Sequence, residues 1–106
     1  MEQDMSSPTA SWPTLRNQLL DAFLALESRE EVEAFLADLC TPSEVRAFVE
    51  RWHVASLLHE EKFSYREIAE VAGASTTTVV RVARFLKEMP FQGYRLALDR
   101  LKGTKA

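Results

Sequence analysis

Apolar residues in the first third of the chain recur three or four positions apart. Leu15, Leu19, Leu20, Phe23, Leu24 and Leu26 keep this spacing from Trp12 onward. It predicts an amphipathic helix, because positions i, i+3 and i+4 share one helical face. Ser28-Arg29-Glu30-Glu31 then has the form of a capping box, in which the serine oxygen accepts from a free amide and the glutamate reaches back to the serine amide. The helix it opens carries Val32, Phe35, Leu36 and Leu39 on one side. Thr41-Pro42-Ser43-Glu44 is a stronger start signal, with a Thr cap, Pro at the first helical position and Glu at the third. The long helix it predicts runs to about Glu60 and buries Val45, Phe48, Val49, Trp52, Ala55 and Leu58 or nearby positions.

Ser64-Tyr65-Arg66-Glu67 is a third capping box, and its helix is short because Gly73 follows closely. A further helix is predicted over Thr76–Lys87. It stops before Pro90, since proline disfavours helical backbone in the residue ahead of it. Leu96, Leu98 and Leu101 place a last helix over Gln92–Leu101. No segment alternates apolar and polar residues in the manner of a half-buried strand. The expected fold class is therefore all-α, with about six helices. Residues 1–11 lack periodicity and hold Ser6-Ser7-Pro8, so they read as a disordered arm. Residues 12–106 read as one helical domain, of a size that supports a single modest core.

Two short helices joined by a turn containing glycine describe a helix-turn-helix, here over residues 64–88. Ile68 and Ala72 face inward on the first helix, Val79 and Val82 on the second, and Ala69 is small where the two cross. Gly73 can take the positive φ that ends a helix without a Cβ clash. Ser75 or Thr76 can cap the second helix. The first turn of that helix offers Ser75, Thr76, Thr77 and Thr78, whose hydroxyls suit phosphates or base edges and whose Thr methyls suit thymine methyls. Arg81, Arg84 and Lys87 add positive charge at one-turn spacing, and Tyr65 and Arg66 open the preceding helix.

Charge strengthens this reading, although the net value of −3 conceals it. Residues 1–61 hold four Arg against twelve Asp or Glu, a balance of −8. Residues 62–106 hold nine Lys or Arg against four acids, a balance of +5. No acidic residue occurs from Ala72 to Lys87, whereas a merely solvated helix mixes both signs. One part of the molecule is thus suited to a polyanion.

The string Leu39-Cys40-Thr41-Pro42-Ser43-Glu44, then Arg51-Trp52, Phe63 to Ala69, Gly73 to Val79, Arg81 to Leu86 and Gly93-Tyr94 resembles the Trp repressor superfamily, and within it the YerC/YecD-type branch. The likeness runs from Leu39 to Leu101, while the N-terminal third matches in pattern only. The resemblance implies an intertwined homodimer with one reading head per subunit, set on a near-palindromic operator in double-stranded DNA. It also implies a possible effector site at Thr41, Arg51, Arg81 and Phe85, since an indole-bearing amino acid lies between two arginines in Trp repressors. Val82 and Phe85 depart from that pattern. They stand where Trp repressors have glycine and a small polar residue, so tryptophan is not expected as the effector.

The remaining chemistry is sparse. His53 and His59 lie six apart on one helix, the wrong spacing for a same-face metal pair. Lone Cys40 excludes an internal disulfide and reads as a small core residue in a reducing cytoplasm. Trp52 reads as core packing, and Trp12 as docking onto the helical body. Nothing forms a nucleophile elbow or a phosphate-binding glycine loop. No apolar run reaches the roughly 18 residues of a membrane helix, and the acidic N-terminus does not resemble a signal or transit peptide. The expectation is a cytoplasmic, cofactor-free, non-enzymatic DNA-binding transcription regulator, a repressor. The acidic N-terminal half leaves a second reading open, a helical protein-interaction adaptor without specific DNA binding.

Overall fold

The computed structural model describes residues 8–104, with the side chain of Thr104 excluded. Residues 1–7 of the expected arm, and the last two residues of the expected domain, lie outside the described residues. Six helices follow in order: α1 (Trp12–Leu24), α2 (Arg29–Leu39), α3 (Pro42–Glu60), α4 (Tyr65–Ala72), α5 (Thr76–Lys87) and α6 (Gly93–Thr104). No strand occurs among the described residues, so the fold is all-α. The start signal at Ser64 acts as the residue pattern predicts. At Ser28 only half of the capping box forms, with Glu31 Oε1 accepting from the Glu27 amide. Ser11, read as part of the arm, caps α1. Ser11 Oγ accepts from the Thr14 amide, Ser28 Oγ from Glu31 and Ser64 Oγ from Glu67.

The chain forms two compact units that divide after Thr41. In the first, α1 and α2 meet through an edge-to-face contact of Phe23 and Phe35, with ring centroids 5.0 Å apart. Neither helix has a fully buried residue. Leu15, Leu19, Leu20, Leu24, Val32 and Leu39 are all exposed. Trp12 is 72% exposed. Cys40 is half-buried and follows the last residue of α2, where it closes the helix rather than entering a core.

In the second unit α3 packs against α4, α5 and α6. Val54, Ala55, Leu58, Ile68, Val79, Val82, Ala83 and Leu86 form the buried core. Leu57, Ala69, Ala72, Ala74, Tyr94 and Leu98 pack against it. The inward face of α3 keeps Ala55 and Leu58 of the expected set and is shifted otherwise. Val54 is buried, while Phe48 and Val49 are exposed and Val45 and Trp52 are half-buried. Apolar residues lie all around α3, so periodicity alone could not choose its inner face. The last helix runs three residues beyond Leu101, and only Leu98 of its three leucines packs on the core.

Candidate nucleic-acid interface

The α4–turn–α5 segment is assembled by local bonds. Ser64 and Glu67 complete the capping box, with the Glu67 amide donating to Ser64 Oγ at 3.1 Å and the Ser64 amide donating to Glu67 Oε1 at 2.8 Å. Gly73 ends α4 in the left-handed region at φ 67°, ψ 29°, where a Cβ would be strained. The Ala74 amide returns to the Ala69 carbonyl at 3.0 Å, closing the turn. Ser75 caps α5: its Oγ accepts from the Thr78 amide and donates to Thr78 Oγ1, both at 3.1 Å.

This cap sorts the four hydroxyls. Those of Ser75 and Thr78 bond to each other, and Thr78 is half-buried. Thr76 and Thr77 are exposed in the first turn. Arg81, Arg84 and Lys87 are exposed further along, opposite the buried stripe of Val79, Val82, Ala83 and Leu86. The Lys87 ammonium lies 5.8 Å from the Tyr65 ring centroid, which joins the last turn of α5 to the first residue of α4. Arg66, next on α4, is exposed. The surface is thus a convex helix face bearing hydroxyls and cations, with no carboxylate contributed by residues 72–87.

The residues singled out for an effector are arranged differently. The Arg81 guanidinium lies 4.5 Å from the centroid of Phe85, and that of Arg51 lies 5.3 Å from the centroid of Phe48. Each arginine is stacked on an aromatic ring of its own helix, a favourable cation–π arrangement. Val82 is 1% exposed and belongs to the core. Thr41 is exposed and directly precedes α3. A groove between α3 and α6 is walled by Trp52, Ser56, His59 and Leu98 among others, and none of the four expected effector residues lines it.

His53 is exposed, and His59 Nε2 stands 3.5 Å from Asp99 Oδ1. No group of metal-ligating side chains occurs among the described residues. Two residues were missed by the sequence reading. Val80 is exposed on the outer side of α5, a placement that a helical wheel opposite Val79 and Val82 could have found. Arg95 donates from Nη2 to the Leu86 carbonyl and from Nε to Gln92 Oε1, both at 3.1 Å. It thereby covers the carbonyl end of α5. No pattern in sequence signals that bond, because it depends on how the loop after Lys87 turns.

A six-helix protein with a cationic, hydroxyl-bearing second helix in its helix-turn-helix belongs to a recognisable class. Residues 15–102 match the family described as Trp repressor protein, and the match reaches well into the N-terminal third. The chain is 39% identical over 89 residues to the uncharacterized protein YerC of Bacillus subtilis strain 168, covering 84% of each. Its structure is similar to that of a TrpR-like protein from Eubacterium eligens, at TM-score 0.75 and 38% identity over 81% of this chain and 87% of that one. A candidate Trp repressor from Staphylococcus aureus is similar at TM-score 0.76 and 38% identity, over 83% and 86%. The chain belongs to the Trp repressor family of helical DNA-binding regulators, in its YerC-type branch.

Proposed function

We propose that this protein is a homodimeric transcription repressor that reads a near-palindromic operator through the major groove with α5. The observation that carries the proposal is the outer face of α5. Thr76 and Thr77, then Arg81, Arg84 and Lys87, are exposed together on a helix whose other side is locked in a core. Hydroxyls and helix amides suit base edges and phosphates at the N-terminal end of a recognition helix. Cations further along suit the phosphate backbone. Tyr65, whose ring lies beside Lys87, and the exposed Arg66 next to it would meet the same backbone. Ser75 and Thr78 serve chiefly to cap α5.

The first unit supports the dimer. Leu15, Leu19, Leu20, Leu24 and Leu39 are exposed in a single chain, and large exposed apolar patches mark interaction sites. A second copy is the partner that symmetry supplies at no further cost in sequence, and a two-fold dimer places two reading helices about 34 Å apart in successive major grooves. The no-cofactor, non-enzymatic reading goes with this function, as does a cytoplasmic location. No helix among the described residues is long and apolar enough to cross a membrane.

Free tryptophan does not act as the effector on this reading. Phe48 and Phe85 each already stack on one of the two arginines, Arg51 and Arg81, which leaves a planar ligand to compete with those rings.

Site selection from random duplex DNA, followed by titration at several salt concentrations, tests the proposal. A phosphate-contacting dimer loses affinity steeply as salt rises; an adaptor yields no preferred sequence. Within the selected site, Thr77→Ala is expected to change base preference at a cost of about 1–3 kcal/mol. Lys87→Ala is expected to weaken all sequences alike and lower the salt slope by about one per site contacted. If neither variant alters affinity, α5 is not the reading helix.

A further inference from the structure

We infer that Val80 reads the 5-methyl group of a thymine, which makes it a specificity-determining residue in the middle of the interface. The inference rests on the DNA-reading function proposed above.

Val80 is 48% exposed although α5 has a complete apolar stripe elsewhere. Val79, Val82, Ala83 and Leu86 fill the core at spacings of three, four and seven, and Val80 takes no part in it. On the outer side, Thr76 and Thr77 lie one turn before Val80, and Arg84 lies one turn after it. Every other exposed side chain from Thr76 to Lys87 is a hydroxyl or a cation. Val80, the one exposed apolar side chain of α5 beside the half-buried Phe85, is thus bracketed by polar side chains on both sides.

Helix stability gives no reason for a valine there, since a β-branched residue on a solvated helix face is slightly worse than alanine. In a groove its chemistry is restrictive. An isopropyl group pressed against a base-edge nitrogen or oxygen removes water from that atom and returns no hydrogen bond. Contact is favourable only against another apolar group. On the major-groove edge of the four bases, that group is the thymine 5-methyl. The flanking hydroxyls and Arg84 hold the helix in place and exclude water around the contact.

The test uses the full chain and the operator obtained by selection. Each thymine is replaced in turn by deoxyuridine, which removes the methyl and leaves the pairing edge intact. At one position per half-site, the replacement is expected to weaken binding about three- to tenfold, as the loss of one buried methyl predicts. In Val80→Ala the same replacement is expected to cost less than about twofold, because the methyl has already lost its neighbour. The variant exchanges an exposed valine for a better helix former, so its circular dichroism should match that of the parent. A preferred sequence that tolerates deoxyuridine at every position would overturn the inference and leave the DNA-reading function standing. An undiminished penalty in Val80→Ala would also overturn it, and assign the methyl contact to another side chain such as Thr77. Absence of any preferred sequence would overturn the function and this inference with it.

Discussion

The two halves of this protein solve the same problem to different degrees. All eight fully buried hydrophobic residues among those described lie beyond Thr41, in the unit that contains the helix-turn-helix. The unit before it has leucines and phenylalanines in plenty, and buries none of them fully. Composition is not what separates them. A long helix crossed by three shorter ones encloses a volume, whereas two helices joined at Phe23 and Phe35 form one layer with no inside. The helix-turn-helix unit encloses a core of its own. The N-terminal unit leaves leucines exposed that its own two helices do not cover.

The largest effect that tests this contrast is a cavity in the finished half. Ile68→Ala removes most of a side chain that is 0% exposed, and is expected to lower the unfolding free energy by about 2–5 kcal/mol in urea titration. A loss below about 1 kcal/mol would mean that the core is loosely packed in solution.

The next effect falls on the unfinished half. Leu20 and Leu24 are exposed within a single chain, so a double change to Glu should cost that chain little by itself. If a second copy covers them, two buried charges have no counterpart and the dimer separates. Light scattering at micromolar concentration is expected to give twice the chain mass for the parent and the chain mass for the variant. A parent that is monomeric, or a variant that stays paired, would break the comparison.

The smallest expected effect is none at all. Calorimetry with free tryptophan should give no binding heat, and operator affinity should not change on its addition. A ligand gates a protein only through unequal affinity for its two states. Displacing the rings of Phe48 and Phe85 from their arginines would set the loss of two cation–π stacks, about 0.5–1 kcal/mol each at exposed sites, against binding. A clear isotherm with tightened DNA binding would show an open pocket.

The helix-turn-helix was legible because its signals are local. Ser64 with Glu67, Gly73, and Ser75 each fix one boundary through bonds spanning a few residues. The stripe of Val79, Val82, Ala83 and Leu86 then fixes the inner face of α5. The inner face of α3 was not legible, since Phe48, Val49, Trp52 and Val54 point in several directions and only packing against α4–α6 selects Val54. The stacking of Arg81 on Phe85 has the i, i+4 spacing that sequence could show, although nothing in that spacing says that the ring stays on the guanidinium. The Arg95 cap depends on the loop through Gln92, which adopts φ 56° without being glycine. Conformations of that kind are held by their surroundings and leave little trace in sequence.

The contact between Lys87 and Tyr65 has a consequence for timing. The Gly73–Ser75 turn joins α4 and α5 at one end, and this stack, worth about 0.5–1 kcal/mol at an exposed site, joins them at the other. A pair of helices held at both ends has little disorder left to lose when a duplex arrives. Arrival is then governed by diffusion, orientation and charge, which are nearly the same for every DNA sequence. On the DNA-reading function proposed above, the choice among sequences would fall on departure: an operator would be distinguished by how long the protein stays on it, and single changes in the outer face of α5 are expected to register as altered residence times.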